Sequence, residues 1–166
     1  MNYNTHDELE NQAANLTFED LDQQNEDNQE GNHKEFKSFQ TLDCWKSATE
    51  LRRFISELTK QLPSEENNGL VYQLRRSSRG ATDAIAEGYG RFHYQENIQF
   101  CRQARGYIYQ LLNQLIIAKD ENFISEEDFN KAQELIEKSL AILNGYINYL
   151  IKAKKQRDRN KRYSHA

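Results

Sequence analysis

Proline is almost absent from this chain of 166 residues, which has only Pro63. Because proline breaks helices, its scarcity leaves long segments able to form them. Long runs rich in valine or threonine, which are typical of strands, are missing as well. These two absences argue against a sheet and predict an all-α protein.

Cysteine is also scarce, and the two cysteines, Cys44 and Cys101, have no partners at metal-site spacing. We expect both to be reduced and inert. The chain has no run of about 18 apolar residues that would span a membrane, and its acidic start lacks the pattern of a secretory signal. We therefore predict a cytoplasmic protein with no membrane partner.

Charge is unevenly distributed and divides the chain into three parts. Residues 1–34 carry nine acids and one base, residues 35–151 carry 16 acids and 14 bases, and residues 152–166 carry one acid and seven bases. The first part has too few apolar residues to offset its ordering entropy, so we predict a disordered acidic tail. The second part is predicted to be the folded domain. The third is predicted to be a basic C-terminal extension, and the last dozen residues are expected to fray.

Apolar residues at helical spacing predict helices in the middle part, and the first two are bounded by breakers. The first helix covers residues 42–62 and is ended by Pro63. The second opens at Ser64, gains apolar residues further on, and is predicted to stop at Gly88 and Gly90.

The third helix is predicted over about residues 93 to 120, and the fourth begins at Ser125. Ser125 and Asp128 resemble a capping box, with aspartate replacing the preferred glutamate. Because the links are short, neighbouring helices should be antiparallel. The expected fold is an up-down-up-down four-helix bundle.

The most distinctive stretch covers residues 74–91 and reads LRRSSRGATDAIAEGYGR. Two arginines precede a run of small side chains, so this helix can lie very close to its neighbours. Gly80, inside the helix, costs about 1 kcal/mol relative to alanine. Close packing is the usual compensation for such a glycine.

Further motifs follow one another in a fixed order between residues 36 and 150. They are Phe39, Leu42, Trp45, Lys46 and Ala48, then Pro63, Glu65, Gly69 and Leu70, then residues 73–76 and 85–91, then Phe100, residues 104–106, Leu111, Leu112 and Leu115. The order of these motifs resembles the pattern of one family of four-helix bundles. That family is named for members encoded in intervening sequences of bacterial 23S rRNA genes.

The chain departs from this family pattern in two places. Where the family tends to have an apolar residue followed by Ser-Ile-Pro-Ala-Asn, residues 79–84 read Arg-Gly-Ala-Thr-Asp-Ala. In the third helix, Tyr107 and Gln110 replace a serine and a glutamate. The bundle is expected to tolerate these changes.

The resemblance implies a cytosolic, ring-like homo-oligomer, expected to be a pentamer. Most members have no assigned reaction. A related bundle, the accessory protein of diversity-generating retroelements, serves a reverse transcriptase and its RNA template. The resemblance therefore suggests RNA, an RNA–protein complex or a reverse transcriptase as partners.

Charged residues recur every fourth position from 75 to 91 and would form a stripe on the second helix. One interpretation is a ladder of salt bridges within the helix or between subunits, in which Glu87 pairs with Arg91. The other is a phosphate-binding strip, because the guanidinium group suits phosphate. The candidate nucleic-acid-binding residues of the domain are Arg75, Arg76, Arg79, Arg91, Arg102 and Arg105.

The basic extension supplies the other candidates for nucleic-acid binding: Lys152, Lys154, Lys155, Arg157 and Arg159. If the fourth helix continues this far, its bases surround the helix, which favours non-specific contact with phosphates. Two alternatives are a solvated tail and masking by the protein's own acidic tail.

Residues that would indicate catalysis are lacking. Di-iron bundles need Glu-x-x-His pairs on facing helices, and the only such spacing, Glu30 to His33, falls in the acidic tail. The sequence has no phosphate-binding loop and no Cys-x-x-Cys motif. We predict no enzyme, no cofactor, no metal and no small-molecule substrate.

Two functions remain. The first is a homo-oligomeric scaffold that associates with RNA or DNA. In a variant of this hypothesis, the acidic tail recruits a basic partner such as a polymerase. The second is a protein-interaction module in which the arginines bridge subunits and no nucleic acid binds.

Overall fold

The computed structural model describes residues 38–163, and all regular structure in this range is helical. The α-helices are α1 (Asp43–Leu58), α2 (Leu70–Gly90), α3 (Tyr94–Asp120) and α4 (Glu126–Tyr163). Short 3-10 helices, Phe39–Thr41 and Ser64–Asn68, precede α1 and α2. The predicted acidic tail, residues 1–34, lies outside the described residues.

The four α-helices form the predicted all-α bundle. Each helix contacts the next one in the chain, and α4 contacts α1, which closes the ring. Contacts between α2 and α3 run in opposite directions, since Gly80 lies against Tyr107 and Gly88 lies against Asn97. These two helices are therefore antiparallel, and so are α3 and α4, in which Lys119 contacts Glu126 and Arg105 contacts Asn144, as the short connections predict.

The core is a continuous apolar stripe to which every α-helix contributes. Leu51 and Ile55 of α1, Leu74 of α2, Leu111 of α3 and Leu143 of α4 are at most 1% exposed. Burying such a side chain stabilises the fold by about 1.5–3 kcal/mol. Helical spacing predicts Ile55, Leu74 and Leu143 as core positions and leaves two choices open, Leu51 or Arg52 and Leu111 or Leu112. The structure buries Leu51 and Leu111.

The first two helix boundaries differ from the prediction. α1 ends at Leu58, earlier than the predicted stop at Pro63. The segment Ser64–Asn68 is a separate 3-10 helix and not the first turn of α2, because Gly69 has a non-helical backbone (φ −100°, ψ −111°). Glu66 Oε2 accepts a hydrogen bond of 2.9 Å from the first backbone N–H of α2, so this glutamate caps the helix from outside.

The predicted stop of α2 is confirmed in position, because Gly90 is the last residue of the helix. Its mechanism differs from the prediction, since Gly88 lies inside the helix and no described glycine has a positive φ. The left-handed residue that follows the C-cap is Phe92, with φ 51°. This conformation costs a non-glycine residue about 1–2 kcal/mol.

Glycines of α2 instead allow close approach to α3. A Cβ at Gly88 would lie 2.8 Å from Phe100 Cβ and 2.9 Å from Asn97 Oδ1. A Cβ at Gly80 would lie 2.9 Å from carbons of the Tyr107 ring. Contacts this short leave no room for a methyl group, so the small residues of α2 set the spacing of the two helices, as predicted.

The longest helix is α4, with 38 residues. It continues without a break through the basic extension as far as residue 163, where fraying was expected. At its start, Ser125 Oγ accepts a 3.0 Å hydrogen bond from Asp128 N and lies 2.8 Å from Asp128 Oδ2. The aspartate side chain thus bonds the serine hydroxyl, whereas a full capping box would have it reach the serine backbone N–H.

Candidate nucleic-acid interface

An open groove of about 520 Å³ lies along the outer face of α2. The groove is lined by one residue of the preceding 3-10 helix, seven of α2 and one of α3: Asn67, Val71, Tyr72, Arg75, Arg76, Arg79, Gly80, Asp83 and Tyr107. Residues of α2 meet here because positions three, four and seven apart share a helical face. We call this feature the arginine groove.

The arginine groove contains three guanidinium groups and one carboxylate, so its net charge is positive. Arg75 Nε donates a hydrogen bond of 2.9 Å to Thr59 Oγ1 at the end of α1, which fixes that side chain. Arg76 and Arg79 are exposed, and no carboxylate among the described residues forms an ion pair with either. Two of the three predicted arginines are therefore available to an anion.

The predicted ladder of salt bridges along α2 is mostly missing among the described residues. Of its members, Arg91 and Glu87 do pair, with Nη2 and Oε1 2.6 Å apart. No ion pair joins Arg79 to Asp83 within 4.0 Å in this part of the chain. Exposed pairs one turn apart stabilise a helix by only about 0.3–0.5 kcal/mol, so pairing within the helix does not account for the arginines. The version of the ladder that joins subunits stays a prediction.

Two tyrosines lie in the arginine groove beside the positive charges. The Tyr72 side chain is 57% exposed, one turn before Arg76 on the same face. Tyr107 is half-buried, and its ring lies against Gly80. The groove therefore combines cations with exposed aromatic surface, a combination that suits nucleic acid strands.

Arg91 lies away from the arginine groove, at the opposite end of α2. Besides Glu87, it lies 4.0 Å from Glu96 Oε2, and its guanidinium carbon is 5.2 Å from the centre of the Phe100 ring. The hydrogen bond to Glu87 raises the pKa of Arg91 further. Its charge is balanced by these acids, which makes Arg91 a weaker candidate for binding phosphate.

The structure also separates Arg102 and Arg105 from the arginine groove. Arg105 Nη1 donates a hydrogen bond of 3.0 Å to Asn144 Oδ1 on α4. Arg102 is exposed on α3, and neither residue lines the groove. The six arginines predicted in the domain thus form one cluster of three and three separate positions.

The basic extension of α4 presents its charges on all sides. Its exposed members among the candidates are Lys152, Lys155, Arg157 and Arg159, whereas the Lys154 Nζ group pairs with Asp158 at 3.0 Å. The Arg157 guanidinium carbon lies 5.9 Å from the centre of the Tyr94 ring, at the start of α3. The extension therefore lies beside the connection between α2 and α3.

Burial makes the two cysteines chemically quiet. Burial raises the pKa of the Cys101 thiol from its ordinary value of 9.0 to about 12, and it raises the pKa of Cys44 as well. Burial also raises the pKa of Tyr146, whose hydroxyl accepts a hydrogen bond of 3.1 Å from Asn97. Thiols that remain protonated are poor nucleophiles and poor metal ligands.

Three exposed aromatic residues were missed at the sequence level: Tyr72, Phe92 and Tyr109. Tyr72 precedes Arg76 by four positions, so a helical projection would have found it. Phe92 is 71% exposed, and its positive φ gives no signal in the sequence.

In the range 38–163, no group of three or more histidine, cysteine or acidic side chains is placed to hold a metal ion.

Fold and groove together define an antiparallel four-helix bundle protein with an arginine-lined outer surface. Residues 40–145 match the family described as 23S rRNA-intervening sequence protein. The match covers well over half of the chain and reaches all four α-helices, so the chain belongs to this family. The curated proteins compared with this chain include no match.

The family match ends within α4, before the basic extension begins at residue 152. No helix in the described part of the chain is long and apolar enough to cross a lipid bilayer.

Proposed function

We propose that this protein is a non-enzymatic, homo-oligomeric scaffold that binds RNA through the arginine groove. The observation that carries the proposal is the pair of exposed arginines, Arg76 and Arg79, which lack ion-pair partners in the described range and lie beside Tyr72. Guanidinium groups suit phosphate oxygens, and the tyrosine offers a surface for a base.

Two further facts support this function. The name of the family connects it with 23S rRNA genes. In addition, Arg79, Gly80, Asp83 and Tyr107 are positions at which this chain departs from the family pattern, and all four line the arginine groove. The groove therefore has a chemistry of its own on a shared bundle.

The test is a titration of labelled single-stranded RNA by fluorescence anisotropy at salt concentrations from about 50 to about 200 mM. Each lost phosphate contact lowers the log–log salt slope by about 0.7 for single strands. The double variant Arg76→Ala, Arg79→Ala should therefore bind more weakly and with a slope smaller by about 1.4.

A matched control removes the same charge elsewhere. Arg53 and Lys131 are exposed cations outside the arginine groove, so the variant Arg53→Ala, Lys131→Ala should keep most of the affinity. The titration is repeated without residues 1–34, because the acidic tail can compete with RNA. If neither form binds RNA at about 50 mM salt, the proposed function is wrong.

A second candidate is an assembly module without nucleic-acid binding. Exposed apolar side chains on α3 favour it: Tyr109 is 56% exposed, and Ile116, two turns later on the same face, is 42% exposed. The variant Arg75→Ala, Arg76→Ala separates the two candidates when its oligomer mass is measured by sedimentation and its RNA affinity by the titration above. Loss of the oligomer with unchanged RNA affinity would favour the module, whereas an intact oligomer with weaker binding would favour the scaffold.

The family resemblance supports a pentamer as the assembly. It supports a reverse transcriptase with its RNA template as the partner, called here the client. A solution mass of five protomers, each of 19.6 kDa, would support the pentamer. A neighbouring reverse transcriptase gene with a template repeat would support the client, whereas an rRNA intervening sequence around the gene would point to a different context.

A further inference from the structure

The connection between α2 and α3 carries an unusual residue. Phe92 is 71% exposed, more than any other large apolar side chain in the described range. Its ring contacts Tyr89, with ring centres 6.4 Å apart, and most of its surface faces solvent. Burial in the fold therefore does not explain a phenylalanine at this position.

Backbone conformation makes this phenylalanine still less expected. With φ 51°, Phe92 is in the left-handed region, where a bulky residue is strained. The other described non-glycine residue with a positive φ is Asn122, a residue type that tolerates this conformation. An asparagine would suit the turn better at position 92, and strain of this kind is concentrated at functional sites.

The basic extension of α4 reaches the end of the bundle that carries Phe92. Tyr94, two residues later, lies 5.9 Å from the Arg157 guanidinium carbon, which brings the extension of α4 to this end of the bundle. Lys155 and Arg159 are exposed on the same extension. Arg91, next to Phe92, is already paired with Glu87 and Glu96, so the positive charge available at this end of the bundle comes from the extension. An exposed aromatic ring near such an extension complements a strand of nucleic acid, whose bases stack while its phosphates seek positive charge.

We propose that Phe92 is a stacking platform for an unpaired base of single-stranded RNA whose phosphates lie along the basic extension of α4. This inference rests on the proposed function for its class of ligand, but it concerns a second site. Arg76 and the last residue of α2 are 14 positions apart, which is about 20 Å along a helix. Bases in a duplex are already stacked, so this site selects single strands.

Two variants of the full-length protein test the platform. Phe92→Asn removes the ring and relieves the backbone strain, so its thermal midpoint should be unchanged or higher. Its affinity for a labelled oligouridine should fall by about 5- to 150-fold, the effect of losing one stacked base. Its affinity for a duplex RNA of the same length should not change.

Phe92→Trp provides a direct signal of stacking. The chain has one other tryptophan, Trp45, which is half-buried in the bundle, so the wild type supplies the background. Oligouridine should quench the new fluorescence and bind as tightly as it does to the wild type. Ile117→Ala is the control, because it removes an exposed apolar side chain, 41% accessible, that neither proposal uses.

The outcomes separate this inference from the proposed function. If Phe92→Asn binds oligouridine like the wild type, or the tryptophan is not quenched at saturation, the platform is wrong while the arginine groove stands. If Phe92→Asn lowers the mass of the oligomer and weakens both RNAs alike, Phe92 contacts another copy of the protein. If the wild type binds neither RNA, both proposals fail.

Discussion

At the scale of single residues, Gly88 and Gly90 have opposite surroundings although they are only two positions apart in α2. Gly88 is buried against Phe100 and Asn97, whereas a Cβ at Gly90 would have nothing within 4 Å. Their small size is therefore required at one position and not at the other.

This contrast predicts opposite effects of alanine. Gly88→Ala should destabilise the fold by about 1–3 kcal/mol, because Phe100 Cβ and the Asn97 backbone cannot move without shifting α3. Gly90→Ala should be neutral or stabilise by up to about 1 kcal/mol through helix propensity. Urea unfolding of the two variants checks both values, and equal stabilities would contradict the packing role of Gly88.

The sequence predicted close approach of α2 from its small side chains but assigned Gly88 to the wrong role. The reason is physical. A glycine that ends a helix cannot be told from a glycine against which another helix packs when only one sequence is known. The two roles are distinguished by the residue that packs against the glycine, which for Gly88 is Phe100.

At the scale of elements, the basic extension of α4 is separable from the bundle. Among the residues whose burial the structure describes, Ala153 is the last buried one, and every such side chain from Lys155 onward is exposed. Truncation after Ala153 should therefore leave the free energy of unfolding nearly unchanged. RNA affinity and its salt slope should both decrease, by about 0.7 in slope per lost phosphate contact.

A full-length variant with Lys155, Arg157 and Arg159 changed to glutamine is the control for this truncation, because it keeps the helix and removes charge. It should reproduce most of the loss of affinity. A large drop in the thermal midpoint of the truncated protein would show that the extension supports the bundle, contrary to this prediction.

The helices themselves were predictable because apolar spacing records which face is buried. Their ends were less so. The early stop of α1 and the separate 3-10 helix depend on the conformation of Gly69 and on the cap from Glu66, which spacing does not encode.

The arginine cluster on α2 was predictable for the same reason as the core, since one helix determines it. Whether Arg102 and Arg105 join it depends on how α3 is rotated in the bundle.

At the scale of the whole molecule, the buried thiols connect stability to pH. The pKa of Cys101 is raised by burial to about 12, above its ordinary value of 9.0, so the folded protein keeps a proton that the unfolded chain releases. The stabilisation is complete below about pH 9 and is lost as the pH rises toward about 12. Cys44 and Tyr146 act in the same direction.

The free energy of unfolding should therefore fall above about pH 9, by about 1.4 kcal/mol per pH unit for each thiol that ionises only in the unfolded chain. Urea unfolding between neutral and alkaline pH measures this slope. Cys101→Ala should reduce it by about the same amount, whatever the variant does to stability at neutral pH. An unchanged slope would show that the thiol is not protected.

Gly80 and Tyr107 meet at the surface of the molecule. A Cβ at Gly80 would lie 2.9 Å from the Tyr107 ring, and both residues line the arginine groove. A larger residue at position 80 would push the ring outward and alter the groove, and a smaller residue at position 107 would leave a gap. Evolution is therefore constrained to change the two positions together, and covariation between them across related genomes is the trace that this constraint should leave.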